Sequence, residues 1–304
     1  MIVPQQLRPG DRIAIAAPAR KVSRDEVAPF VQLIEQQGFE AILPEGLFAE
    51  ENQMAGNDTH RANLLQRLLD DPTLGAIVCA RGGYGSVRIV DQLDFTLFAK
   101  RPKWIVGYSD VTVFHSHLNR LGFSTLHATM PIDIRTTADD NSAAFATLLS
   151  ALMGNPDAIA CPPHPMNRIG DAEAQVVGGN LSILYSLAGS PSAIDTRGKI
   201  LLIEDLDEYL YHIDRMMTAL RRSGMLAGLK GLIVGGLNNM HDNAIPFGLT
   251  AEQIVLRAVH DYDYPIVFGA PIGHLGLNNH ALPLGVPTHI EVSKCGATIV
   301  PKLL

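Results

Sequence analysis

Short apolar runs alternate with amphipathic stretches along the first half of the chain. Arg12 to Ala17 reads as a buried strand. The stretch from Arg24 to Gln37 brings Val27, Phe30, Val31 and Ile34 onto one face of a 3.6-residue helix, and Gly38 is placed to end it. A strand at Ala41 to Leu43, a loop through Asn57 and Asp58, and a helix carrying Leu64, Leu65, Leu68 and Leu69 follow. Further on, Gly75 to Ala80 predicts a strand, Val87 to Leu93 a short helix, Lys103 to Gly107 a strand, and Val111 to Leu121 a helix. Strand and helix in strict alternation imply a mainly parallel sheet flanked by helices.

Between Asn155 and Asp171 the periodicity lapses into Pro156, Pro162, Pro163 and Pro165, as expected of an interdomain crossing. The expected division is therefore residues 1–158, an N-terminal α/β domain, and 159–304, a smaller C-terminal α/β domain. In the second part, Gln175 to Val177, Lys199 to Ile203, Leu232 to Val234 and Ile266 to Phe268 have strand length. Helical patterns separate them at Leu181 to Ala188, Tyr209 to Arg222 and Thr250 to Asp261. Thr288 to Val292 and Ala297 to Val300 close the chain as a strand pair.

Composition narrows the function classes. With 304 residues, two domains fit a prior of roughly 150 residues each. Lys and Arg number 24 against 31 Asp and Glu, so the net charge of -7 argues against nucleic acid or an anionic membrane as partner. A hydrophobic content of 47% with 18% charged residues excludes disorder by charge excess. Cys79, Cys161 and Cys295 lie far apart without Cys-x-x-Cys spacing, which suits reduced thiols in a cytoplasm and supplies no thiolate metal site. No apolar run approaches the roughly 18 residues of a membrane span, and the first residues lack the apolar core of a signal peptide.

The chemistry concentrates at the ends of predicted strands. Gly107-Tyr108-Ser109-Asp110 runs from a strand into a helix, so Ser109 projects from the sheet edge and the Asp110 N–H lies where helical partial positive charge favours an oxyanion. Val111 stands where a full Gly-x-Ser-x-Gly elbow would have its second glycine, and either Ser109 or Asp110 would equally serve as a helix cap. A nucleophilic serine needs a base and an acid to orient that base. His274, in the turn Gly269-Ala270-Pro271-Ile272-Gly273-His274 after a strand, occupies the kind of loop where α/β sheets gather their sites, or is an ordinary surface histidine. The run Glu204, Asp205, Asp207, Glu208 follows another strand; Glu204, closest to the sheet, is the choice of orienting acid, and at least two of the four must be capping or solvated charges.

Arg81-Gly82-Gly83-Tyr84-Gly85 lacks the third glycine of a dinucleotide fingerprint and any Walker lysine, so a cofactor is not expected. Its glycines would let backbone N–H groups approach a carbonyl, or simply make a tight turn. His115 and His117 sit about 200° apart on a helix and would share a metal only if that segment were a strand, no His-Glu-x-x-His occurs, and His241 beside Asp242 is a lone pair.

Together, Arg81 to Gly85, Gly107 to Asp110, Ile203-Glu204-Asp205 and Gly269-x-Pro271-x-Gly273-His274 resemble, in order and spacing, the L,D-carboxypeptidase family of serine peptidases, which spans murein tetrapeptide carboxypeptidases and microcin-immunity peptidases. Ala55-Gly56-Asn57-Asp58 before Arg61, and Gly178-Gly179-Asn180-Leu181, are also similar to it. The resemblance implies a Ser109, Glu204, His274 triad in an interdomain cleft, and an oxyanion hole of the Gly83 and Asp110 N–H groups. It also implies no metal or other cofactor, a cytoplasmic enzyme that is often a homodimer, and release of terminal D-alanine from a muropeptide. Arg81 and Arg88, with Tyr84 between them, are the expected substrate contacts, since a carboxypeptidase must hold a terminal carboxylate. The alternatives are a peptidyl-nucleotide substrate of the microcin type, a two-domain binding protein in which Ser109 only caps its helix, and a metallohydrolase on His115 and His117.

Overall fold

The computed structural model describes residues 1–303. Two sheets organise the chain. In the first, β1 (Arg12–Ala16), β2 (Glu40–Ile42), β3 (Leu74–Cys79), β4 (Trp104–Gly107) and β5 (Thr125–His127) run parallel. They are joined at the β5 edge by an antiparallel strand, β11 (Leu282–Leu284), from far along the chain. The order is β11-β5-β4-β3-β1-β2. Both faces are covered, which is why its strands read as continuous apolar runs. Ile13, Ile15, Ala76 and Val78 pack to one side with α1 (Arg24–Gln36), whose Phe30, Leu33 and Ile34 contribute roughly 1.5–3 kcal/mol each by burial. Ala14, Ala16, Ile77 and Cys79 pack to the other with α2 (Asp58–Asp70). Ser23 caps α1 in a reciprocal box with Glu26, and Asn57 caps α2. Lys103 is buried and donates to the carbonyls of Leu68, Leu69 and Asp71, three acceptors that the C-terminal end of α2 leaves open.

Val87 to Leu93, expected as one short helix, forms two 3₁₀ turns, Ser86–Arg88 and Val90–Gln92. Next come α3 (Thr96–Lys100) and α4 (Thr112–Arg120), the latter entered through a 3₁₀ turn at Ser109–Val111. Then α5 (Ala143–Leu152) packs Phe145 edge-on against Phe30, with ring centroids 6.0 Å apart.

The second sheet has the order β10-β9-β8-β7-β12-β13-β6. Its parallel half is β7 (Gly170–Asn180), β8 (Ile200–Leu206), β9 (Gly231–Asn238) and β10 (Ile266–Val267). Between these strands the chain forms α6 (Leu181–Leu187), α7 (Leu210–Arg222) and α8 (Ala251–Ala258). Its antiparallel half is β12 (Pro287–Ser293), β13 (Gly296–Pro301) and β6 (Ile159–Cys161). The proline-rich segment expected to be irregular thus contains β6, recruited by the register Ile159↔Ile299 rather than by any pattern of its own. No helix among the described residues is long and apolar enough to cross a membrane.

The sheets meet along α4. Its Thr112 hydroxyl accepts from the Asn180 N–H at 3.0 Å, and a Cβ on Gly179 would stand 2.6 Å from that oxygen. The Gly178-Gly179-Asn180 motif is therefore where β7 lets the helix behind Ser109 come close.

Candidate active site

Ser109 sits where β4 turns into α4, with φ at +62°. A non-glycine residue in the left-handed region is strained, and such strain collects at functional turns that hold a side chain out from the sheet. The glycine turn after β3 lies directly against it. A Cβ on Gly82 would be 3.0 Å from Ser109 Oγ and 3.3 Å from the Asp110 nitrogen, so only glycine fits. The Gly83 N–H donates to no backbone acceptor among the described residues. Asp110 serves the glycine turn with its side chain: its buried carboxylate accepts from the Ser86 N–H at 2.9 Å, and burial raises its pKa despite that hydrogen bond. Its side chain thereby ties the glycine turn to the start of α4.

Glu204 is completely buried on β8, and its Oε2 accepts from His274 Nδ1 at 2.6 Å. Glycine again permits the approach: a Cβ on Gly273, at φ +105°, would fall 2.5 Å from that oxygen. The His274 carbonyl accepts from Asn238 Nδ2 at 2.6 Å, so the base is held at ring and backbone alike. Burial on its own would lower the His274 pKa, but the hydrogen bond to Glu204 and the charges of Glu204, Asp205 and Asp133 raise it overall. Oε1 of Glu204 is buried without a partner among the described residues.

Tyr108 brings the two parts together. Its ring lies edge-on to His274 with centroids 4.9 Å apart, and its hydroxyl donates to Asp133 at 3.1 Å. Since Tyr108 immediately precedes Ser109, the histidine packs against the serine's own turn. No hydrogen bond joins Ser109 Oγ to His274 among the described residues, and in substrate-free sites such bonds are often long.

The remaining acids divide as the sequence left open. Asp205, also buried, accepts from Asn180 Nδ2, from Ser182 N and from Leu206 N, and burial beside Glu204 pushes its pKa up to about 7. Asp207 pairs with His241 and Glu208 with His212, both at 2.5 Å. His115 bonds the Gly107 carbonyl at 2.8 Å and His117 the Ser192 hydroxyl at 2.9 Å, so each ring has its own partner. Among the described residues no three His, Cys, Asp or Glu side chains cluster as metal ligands.

Of the expected substrate contacts, Tyr84 is 48% exposed. Arg88 pairs with Asp58 at 2.6 Å, and Arg81 pairs with Glu26 at 3.6 Å. Asp58 also binds the buried Arg61, whose guanidinium reaches the Pro18 and Gly85 carbonyls, so the Asn57-Asp58 motif braces the glycine turn from behind.

Comparison with known proteins agrees with this architecture. Residues 13–128 match the LD-carboxypeptidase N-terminal domain and residues 173–290 the LD-carboxypeptidase C-terminal domain. The chain belongs to the LD-carboxypeptidase family and is a peptidase hydrolase. It is 31% identical over 299 residues to a probable murein peptide carboxypeptidase of Bacillus subtilis, covering 97% of this chain and 93% of that protein. A solved muramoyltetrapeptide carboxypeptidase from Oxalobacter formigenes superposes with a TM-score of 0.85 at 27% identity, covering 95% of this chain and 97% of that one. The microcin C7 self-immunity protein MccF, solved in complex with aspartyl sulfamoyl adenosine, gives a TM-score of 0.85 at 19% identity and full coverage of both chains, a likeness of fold alone.

Proposed function

We propose that this protein is a serine L,D-carboxypeptidase that releases the terminal D-alanine of a murein tetrapeptide through an acyl-enzyme. The observation that supports the reading most is the buried Glu204 carboxylate fixed on Nδ1 of His274 at 2.6 Å, beside the turn that holds Ser109 in a left-handed conformation. With Nδ1–H donated to Glu204, Nε2 is left free to accept a proton. In this reading Ser109 Oγ attacks the carbonyl carbon of the scissile amide, and its proton passes to Nε2. The negative oxygen of the tetrahedral intermediate is held by the N–H groups of Gly83 and Asp110, each donor being worth roughly 10²-fold or more in rate. His274 then returns the proton to the departing amine, and water, activated by the same nitrogen, releases the shortened peptide. Residues 1–158 bring the nucleophile and 159–304 the acid and base. The reading includes a cytoplasmic homodimer, which sedimentation of the purified protein checks on the oligomer side.

The substrate assignment draws on the printed names of the murein-peptide relatives, one of them 31% identical. A peptidyl-nucleotide substrate would use the same chemistry. The test offers purified protein a murein tetrapeptide and its all-L analogue and measures released alanine. D-alanine release from the first alone is expected, together with labelling by a serine-directed phosphonate that disappears in Ser109→Ala. Absence of release, or labelling that survives the substitution, overturns the proposal.

A further inference from the structure

An enzyme that removes one terminal residue must hold the free carboxylate of that residue, and a guanidinium is well suited to do so. Around the glycine turn most cations are already matched. Arg88 holds Asp58, Arg81 pairs with Glu26, Lys21 pairs with Glu50 at 2.6 Å, and buried Arg61 is bonded to two carbonyls and Asp58. Arg20 is different. It lies in the loop after β1, is exposed, and its guanidinium has neither a hydrogen-bond nor an ion-pair partner among the described residues. Its stem nonetheless lies over the glycine turn. The methylene stem crosses Gly83 so closely that a Cβ there would stand 2.6 Å from Arg20 Cγ and overlap Cδ, while the Arg20 backbone bridges to Met54. A stem laid over the glycine turn and a guanidinium with no counterion among the described residues leave this group open to an anion from outside.

We propose that Arg20 binds the α-carboxylate of the substrate's terminal residue and thereby sets the enzyme's requirement for a free C-terminus. The inference rests on the proposed function for the location of the scissile bond, and deepens it. The carboxylate carbon is three bonds from the scissile carbonyl carbon, C–N, N–Cα and Cα–C, and so lies within about 4 Å of it. With the carbonyl oxygen about 3 Å from the Gly83 nitrogen, the carboxylate lies within about 8 Å of Gly83. The Arg20 Cδ lies against Gly83 and its terminal nitrogens extend roughly 3–4 Å further, which puts a carboxylate on that side of the turn within reach. The planar fork suits bidentate pairing, and two charge-assisted hydrogen bonds correspond to a preference of about 10²-fold for the acid over its amide.

The test compares the tetrapeptide with its C-terminal amide in two ways: cleavage by the wild-type, Arg20→Met and Arg20→Lys proteins, and equilibrium binding to the same three in a Ser109→Ala background. The wild type should prefer the acid by about 10²-fold in both. Arg20→Met should bring the ratio close to one, Arg20→Lys should recover part of it, and unchanged melting temperatures would show that each variant folds. An acid-to-amide ratio in Arg20→Met equal to that of the wild type overturns the assignment, as does binding to the Ser109→Ala protein with no preference for the acid. Failure of the function reading looks different: no cleavage of either peptide, yet Arg20-dependent preference for the acid in binding, would retire the peptidase substrate and leave the carboxylate site standing.

Discussion

Substituting Glu204→Gln separates what the carboxylate's charge does from what its shape does. Glutamine keeps the volume, and its amide oxygen can still accept from Nδ1 of His274, so the ring should stay in place. What disappears is a negative charge next to the imidazolium that forms in the transition state. The 2.6 Å contact places the charge centres about 4 Å apart, where an effective dielectric of about 20 gives an attraction of about 4 kcal/mol. Lost from the barrier, this corresponds to a decrease of about 10³-fold in kcat/KM. The pH profile gives a second and independent readout. His274 must be neutral to accept a proton, so activity falls as pH drops through its pKa, which in the intact protein is raised above the ordinary 6.5. Removing the Glu204 charge leaves burial, the strongest influence, to lower that pKa, and the acid limb moves to lower pH while the plateau falls. Measuring kcat/KM for alanine release between about pH 4.5 and 9 covers the acid limb and the plateau. A plateau within tenfold of the intact enzyme, or an acid limb displaced upward, would refute the assignment of Glu204 as the group that stabilises the imidazolium.

Gly273→Ala places a methyl group 2.5 Å from Glu204 Oε2 at a φ of +105°; activity should fall by about 10²-fold or more and unfolding free energy by about 1–3 kcal/mol, read by peptide assay and urea titration. Asp205 has a folded pKa near 7 against 3.8 in its ordinary state, so between these values the folded protein binds the extra proton and stability declines as pH rises. Asp205→Asn should flatten that decline in urea midpoints collected from pH 4.5 to 7, and a slope unchanged from the parent would contradict the burial of a protonated carboxyl there.

The parts of the fold that could be read in advance are those whose own residues carry a period. The helix with Leu64, Leu65, Leu68 and Leu69 and the strand around Ile77 bury faces wide enough to show in sequence. Strands β5, β6 and β11 each span three residues, Thr-Leu-His, Ile-Ala-Cys and Leu-Pro-Leu, too short for alternation to appear; they are strands because a neighbour supplies the hydrogen bonds. Pro283 even argues against a strand, and is tolerated because β11 lies at an edge. The proposed Ser109, Glu204 and His274 stand out in the sequence because each follows an apolar run and carries a reactive group, and only family resemblance joins them into one set. Arg20 gave no such signal. Its interest comes from lying across Gly83, sixty-odd positions away, and from lacking the acid partners that Arg81 and Arg88 have found, neither of which can be inferred from residue type.

Strand β11 has a consequence for how the molecule moves. From His274 the chain continues to Leu282 and there zips onto β5, next to the strand that delivers Ser109, while the imidazole remains fastened to Glu204 on the opposite sheet. One short stretch of polypeptide is thus stitched into both halves. A clam-like swing of the lobes would have to unzip this edge strand or be taken up in the segments that flank it. A chain severed between the halves would also leave β5 with an open edge, inviting self-association instead of yielding two independent modules.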